Sequence, residues 1–369
     1  MIEKSCKRRK ERMKKTLAII LALVMLLSLM AGCGKTEPAA PADPASPAAP
    51  ADDGKTYTLR IGTGTGGKDC QVMYMQELEK ALEEATGGRI DVQGYPAGQL
   101  GTMPELVQGV IDGSVDSVAI PTSYFSTVFA EASLSDLATL YPNGGDQLWN
   151  ILMEEDTKYE EAFAAHGVVP ASWLIIPNRV LLTTDKVDSI DDLKNTVIWT
   201  LPSAVYLKEL ELLGVTTSTI NVGEVAPSLA NGTIGGAYSN IALFSSQSLQ
   251  NGGGNYLLEY PNGAMISVFG ISQVWWSKLP ADLQEIVLQV ANDVAKNYEY
   301  GYVQDQITGG YAAMQEGGME VVTPDDALKA EFDKALSTME SWYLENYPEA
   351  KEVYEDMVAR VEADTRTYD

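Results

Sequence analysis

Residues 62–69 read Gly-Thr-Gly-Thr-Gly-Gly-Lys-Asp, and this stretch most invites chemistry. It follows an alternating strand pattern and opens a helical one. Gly62, Gly64 and Gly67 fit a dinucleotide fingerprint, with Asp91 about where a ribose-binding acid stands. Gly67-Lys68 also nearly fits a phosphate-binding loop. Such a loop needs a hydroxyl next, to hold magnesium, and Asp69 puts a negative charge there instead. The other reading is a strand-to-helix turn whose glycines let the backbone come close to something in a cleft. The helix N-terminus then donates N–H groups to a bound ligand. A nucleotide-binding enzyme using Gly62–Gly67 is the competing class.

Little else could carry catalysis. His166 is the only histidine, which excludes clusters such as His-Glu-x-x-His, and no Gly-x-Ser-x-Gly elbow occurs. His166 stands beside Gly167 at the end of a helical stretch, where it serves as a C-terminal charge partner. Cys70 is the one thiol downstream of Cys6 and Cys33, so the folded part forms no disulfide within itself. Acidic runs such as Asp191-Asp192 and Glu154-Glu155-Asp156 read as helix starts or solvated faces. The expectation is a protein that is not an enzyme and needs no metal or cofactor.

Strands and helices alternate along the folded part, which predicts an α/β fold with a largely parallel sheet. Strand patterns run over 56–62, 89–95, 117–120, 168–175, 179–184, 196–200, 217–222 and 234–238. Helical patterns run over 72–85, 103–112, 204–213 and 225–231. A short helical turn falls at 190–193, and longer helices are predicted over 279–303, 327–347 and 349–362. About 315 residues exceed one comfortable core, so two lobes are expected.

The N-terminus carries an address. Met13-Lys14-Lys15 begins a basic segment, 17–30 is an apolar run too short to span a bilayer comfortably, and Ala31-Gly32-Cys33 follows. That order reads as a bacterial lipoprotein signal over 1–32, cleaved before a lipid-bearing Cys33. A Pro/Ala-rich tether fills 33–54; with almost no large apolar residue it cannot order itself. The natural start is Met1 or Met13. The chain has a net charge of −25; removing residues 1–32 leaves 18 basic against 49 acidic residues, or −31. Such a surface repels nucleic acid and anionic headgroups, so the lipid alone joins the protein to the membrane.

One extended pattern carries more. It begins Gly87-Gly88-Arg89-Ile90-Asp91-Val92, continues as Tyr95-Pro96-Ala97-Gly98-Gln99-Leu100-Gly101, and runs on through Glu105 and 109–116. Later pieces are Asn178-Arg179, Leu181 to Thr184, Asp192-Leu193-Lys194, Leu213-Gly214, Glu224, Gly232 and Trp276-Ser277-Lys278-Leu279-Pro280. From about Thr56 to Tyr347 the chain resembles the solute-binding proteins of TRAP transporters, of the dicarboxylate-binding DctP type. The resemblance implies a two-lobed periplasmic-binding-protein-like fold with a ligand cleft between lobes and a long hinge-spanning helix. By that analogy lobe I is 55–176 plus 265–304, and lobe II is 177–264 plus 305–369. The implied partners are a small organic ligand and the small and large membrane subunits of a permease, with the receptor a monomer outside the cytoplasm.

Two departures bear on the ligand. Where the family forks a carboxylate with arginine, this chain has Trp199, and Gly235-Gly236 stands where the family has an acid. An indole cannot replace a bidentate arginine, but it can stack. Trp199 is either a stacking face or a core residue. Arg179, one of five arginines in the folded part, either holds a ligand carboxylate or makes a structural ion pair. The candidate ligand-binding set is Arg179, Trp199, Asn240, Tyr124, Trp173, Tyr238 and Gly66. It points to a monocarboxylic or aromatic solute, delivered to a permease or read by a sensor of the same fold.

Overall fold

The computed structural model describes residues 54–154, 157–259 and 263–368. The signal at 1–32, Cys33 and the tether up to residue 53 lie outside the described residues. The strands in chain order are β1 (Tyr57–Gly62), β2 (Ile90–Tyr95), β3 (Ser117–Pro121), β4 (Val168–Ile175), β5 (Arg179–Thr183), β6 (Val197–Thr200), β7 (Thr216–Ser218), β8 (Gly236–Asn240), β9 (Tyr256–Leu258), β10 (Ile266–Ser272) and β11 (Glu320–Val322).

Two sheets result. The first has the order β2-β1-β3-β10-β4, the second β11-β9-β5-β8-β6-β7. Neither is all parallel, which corrects the expectation. β10 runs antiparallel to both β3 and β4, and β5 runs antiparallel to β8 and β9. The physical reason lies in the connections. β4 leaves the first sheet and feeds β5 of the second within three residues, and β10 returns to the first after β9. Strands that cross between sheets arrive from the opposite direction to strands joined by helical crossovers.

Local sequence explains the flanking helices. Cys70–Thr86 starts at Asp69, whose backbone is extended and whose Oδ1 accepts the Gln71 N–H. It stops at Gly87, which turns left-handed at φ +60°. Tyr74, Leu78 and Leu82 recur on its buried face and pack with Leu59 and Ile61 of β1 and with Leu283, Val287 and Ala291. Each fully buried leucine there contributes about 1.5–3 kcal/mol. Met103–Asp112 begins in a capping box between Thr102 and Glu105 and packs on β3 and β10 of the same sheet.

The helix predicted over 279–303 is longer and is interrupted. Ala281–Val294 is α-helical, Ala295–Glu299 is a π turn, and Tyr300–Glu316 is α-helical again. Its first part covers the first sheet, and its last part packs on Ile241–Ser246 and β11 of the second. The helical stretch predicted over 327–347 divides into Asp326–Leu336 and Met339–Asn346, both packed on Ala204–Leu212. The final helix, Lys351–Ala363, does not stay with the second sheet as the 305–369 assignment has it. It packs on Gly144–Glu154 and Lys158–Ala165 beside the first, and Arg366 pairs with Glu154.

Candidate functional site

The space between the sheets holds the candidate site. The loop after β1 brings Thr65 and Asp69, the turn after β3 brings Tyr124, the end of β6 brings Trp199 and Leu201, and the end of β8 brings Ser239 and Asn240. They enclose a cavity of about 30 Å³. A second cavity of about 210 Å³ shares Met103, Tyr124, Trp199 and Val222 with it. A wider mouth of about 770 Å³ is walled by Gly64, Gly66, Lys68, Gln247 and Gln306. Walls drawn from both sheets are what a closing cleft requires.

Trp199 is 2% exposed, and its indole N–H donates to the Ile220 carbonyl at 2.8 Å. That bond fixes the ring edge and leaves a face to the two inner cavities. Tyr124 stands on the same two walls, its hydroxyl pushed up to about 12 by burial. Asn240 uses its Oδ1 to cap Ile241–Ser246 through the Leu243 N–H at 2.9 Å, while its Nδ2 lies 4.0 Å from the Met265 sulfur. The neighbouring Ser239 hydroxyl is buried without a hydrogen-bond partner. Gly66 lies on the mouth, where an added Cβ would come within 3.2 Å of the Ala97 Cβ.

Asp69 was read in the sequence only as an obstacle to magnesium, yet it is on the wall of the inner cavity. It is 5% exposed. Its Oδ1 accepts from the Gln71 N–H at 3.0 Å, the Thr65 hydroxyl at 3.0 Å and the Cys70 thiol at 3.9 Å. Burial raises its pKa to about 6, against the pull of those donors. Nearby, Glu299 ends the π turn. It is buried, and neither carboxylate oxygen has a partner within hydrogen-bond range. Burial drives its pKa well up, the Ile175 backbone amide pulls it back in part, and the Asp69 charge adds a smaller push upward.

Arg179 is built differently. It is fully buried and does not line the inner cavities. Its Nη1 pairs with Glu209 at 3.0 Å, its Nη2 donates to the Asp136 carbonyl at 2.9 Å, and its guanidinium lies 4.3 Å over the Tyr206 ring. Burial alone would lower the guanidinium, but Glu209, Tyr238, Tyr206 and Asp136 together outweigh it and hold the proton. Burial lifts the Glu209 carboxyl, with Arg179 and the Tyr238 hydroxyl pulling it back. Asp136, from the first lobe, accepts hydroxyls from Ser123, Ser203 and Tyr206 at 2.8, 2.6 and 2.7 Å. The network therefore ties the segment between β3 and β4 to Ala204–Leu212.

Two further sequence candidates stand off the cavity. Tyr238 is in the Arg179 network, its hydroxyl on Glu209 at 3.1 Å and its ring edge-on to Tyr206. Trp173 is in the aromatic core of the first lobe with Tyr159 and Phe163, and its indole N–H donates to Glu160 at 3.3 Å. Arg179 pairs with Asn240 across β5 and β8; Asn240 lines the inner cavity with Trp199 and Tyr124, while Arg179 and Tyr238 do not.

The glycine-rich loop has a packing cause. A Cβ on Gly62 would come within 2.7 Å of Leu106, and one on Gly64 within 2.9 Å of Met103. The Asp69 carboxylate already covers the helix N-terminus that a phosphate would need. Among the described residues, no group of three or more His, Cys, Asp or Glu is placed to hold a metal ion, and no helix is long and apolar enough to cross a membrane.

Two lobes, crossing strands and a cavity walled from both sides define a receptor of the periplasmic-binding type, and solved structures agree on the fold. A TRAP periplasmic solute-binding protein from Roseobacter denitrificans, with bound β-D-glucuronate, aligns at TM-score 0.76 and 19% identity over 82% of this chain and 99% of that one. One from Desulfovibrio salexigens, with bound orotic acid, aligns at 0.76 and 18% over 83% and 100%. Residues 61–345 match the family described as Bacterial extracellular solute-binding protein, family 7, and the chain belongs to it. Relatives include a solute-binding protein of Chromohalobacter salexigens, 20% identical over 77% of this chain and 83% of its own length. The C4-dicarboxylate-binding periplasmic protein DctP of Vibrio cholerae is 23% identical over 70% and 79%. The family and these neighbours are solute-binding proteins of transport, not enzymes.

Proposed function

We propose that this chain is an extracytoplasmic receptor that captures a small organic solute by closing its lobes and presents it to a TRAP membrane permease. The carrying observation is the inner cavity, with Asp69 and Tyr124 on one side and Trp199 and Asn240 on the other. A solute touching both walls binds the closed form better than the open form, and that difference drives closure. The receptor works as a monomer held to the membrane through lipid on Cys33. Fatty-acid labelling that survives Cys33→Ala would overturn the anchor.

The aromatic half of the expected ligand is supported by Trp199 and Tyr124. The monocarboxylate half rested on Arg179, and the Glu209 ion pair argues against it. The test is small-angle scattering across a solute panel screened by thermal shift. The true solute shrinks the particle and is recovered unchanged; turnover, or no compaction with any binder, would sink the receptor reading.

A further inference from the structure

We propose that the solute is an organic amine with a flat apolar body, its ammonium seated on Asp69 and its body against Trp199 and Tyr124. This rests on the receptor reading and names the solute class it takes.

The charge on the walls carries the argument. Among the described residues, no arginine, lysine or histidine lines either inner cavity. Asp69 is the one carboxylate there. Its three hydrogen bonds all fall on Oδ1, and Oδ2 accepts none. A buried carboxylate with no cationic side chain beside it is costly to keep ionised, and a cation seated there removes the cost. Its acidic neighbour, Glu299, brings no positive charge to balance it.

An acid ligand meets the opposite situation. Its carboxylate would lie against Asp69, and like charges juxtaposed at an interface are penalised. The nearby guanidinium of Arg179 is already held by Glu209 and the Asp136 carbonyl. Among the described residues of these three cavities, the one cationic wall residue is Lys68, out at the mouth. The remaining groups suit an amine. Aromatic faces attract ammonium groups as well as apolar rings, and Trp199 and Tyr124 provide two. The body extends from Asp69 into the cavity of about 210 Å³ that the same two residues wall. The net charge of −25 draws cations from solution.

The test is calorimetric titration of the full chain with paired probes: phenethylamine, tyramine and tryptamine, each against the propanoic acid of the same ring. At least one amine should bind one-to-one and its acid partner should not. Asp69→Asn should weaken the amine ten- to a hundredfold while the ligand-free chain still folds, because asparagine caps a helix as well as aspartate. Should Asp69→Asn fail to fold, Asp69→Ser serves, another good cap without the charge. Amine binding that survives both substitutions, or no amine binding at all, overturns the proposal. An acid that binds and compacts the particle leaves the receptor standing and removes only the amine. Failure of every solute in a broad panel to compact it removes the receptor instead.

Discussion

Two buried carboxylates near the cleft differ in their surroundings. Glu209 faces Arg179 and the Tyr238 hydroxyl, and every partner comes from the chain itself. Asp69 faces a cavity, and no cationic side chain is among its partners. Buried charge satisfied internally is a structural tie. Buried charge with no cation of the chain beside it, on a wall shared by both lobes, is a place for a ligand. The comparison separates Arg179 from Trp199, which the sequence alone presents as equivalent candidates.

The largest effect should come from breaking the tie. Arg179→Ala leaves Glu209 buried and unpaired, and should cost about 3–5 kcal/mol in denaturant unfolding. Arg179→Met with Glu209→Leu should recover most of that loss. Should Arg179→Ala keep its stability and lose solute affinity, the two regions have been assigned the wrong way round.

Next is the pH dependence of Asp69. Its pKa rises from 3.8 to about 6 on folding, so the folded chain binds the proton more tightly. The contribution to stability is full below 3.8 and is lost as pH climbs through about 6. At about 1.4 kcal/mol per unit this amounts to roughly 2–3 kcal/mol. Asp136 and Glu209 are also raised, so the Asp69 part is the difference between wild type and Asp69→Asn across pH 4–7. Parallel curves would show that Asp69 is not desolvated.

The smallest effect belongs to Trp199→Phe. It removes the N–H bond to Ile220 and keeps an aromatic face, so stability should fall by about 1 kcal/mol. Solute affinity should fall less than in Asp69→Asn. A loss larger than that would make the indole, rather than the carboxylate, the dominant contact.

Much of this was legible in the residues. The Thr56–Gly62 alternation, the 103–112 helix and the Gly87 stop appear in the structure within a residue or so. β10 was not read, because Ile266–Ser272 is buried on both faces and shows no alternation. The π turn at Ala295–Glu299 leaves no periodic signal in so short a run. The site was less legible than the fold. Glu209 is thirty residues from Arg179 in the chain, so nothing local marks the pair. The one sequence sign of Asp69 is an acid in a glycine-rich loop after a strand, and its place on the cavity wall with no cation beside it is visible only in three dimensions.

The most direct measurement is a crystal structure of the chain with its solute bound. The account predicts an ammonium nitrogen about 3 Å from Asp69 Oδ2, a flat body against Trp199, and Arg179 still on Glu209. A carboxylate bound by Arg179, with Glu209 turned away, would contradict it.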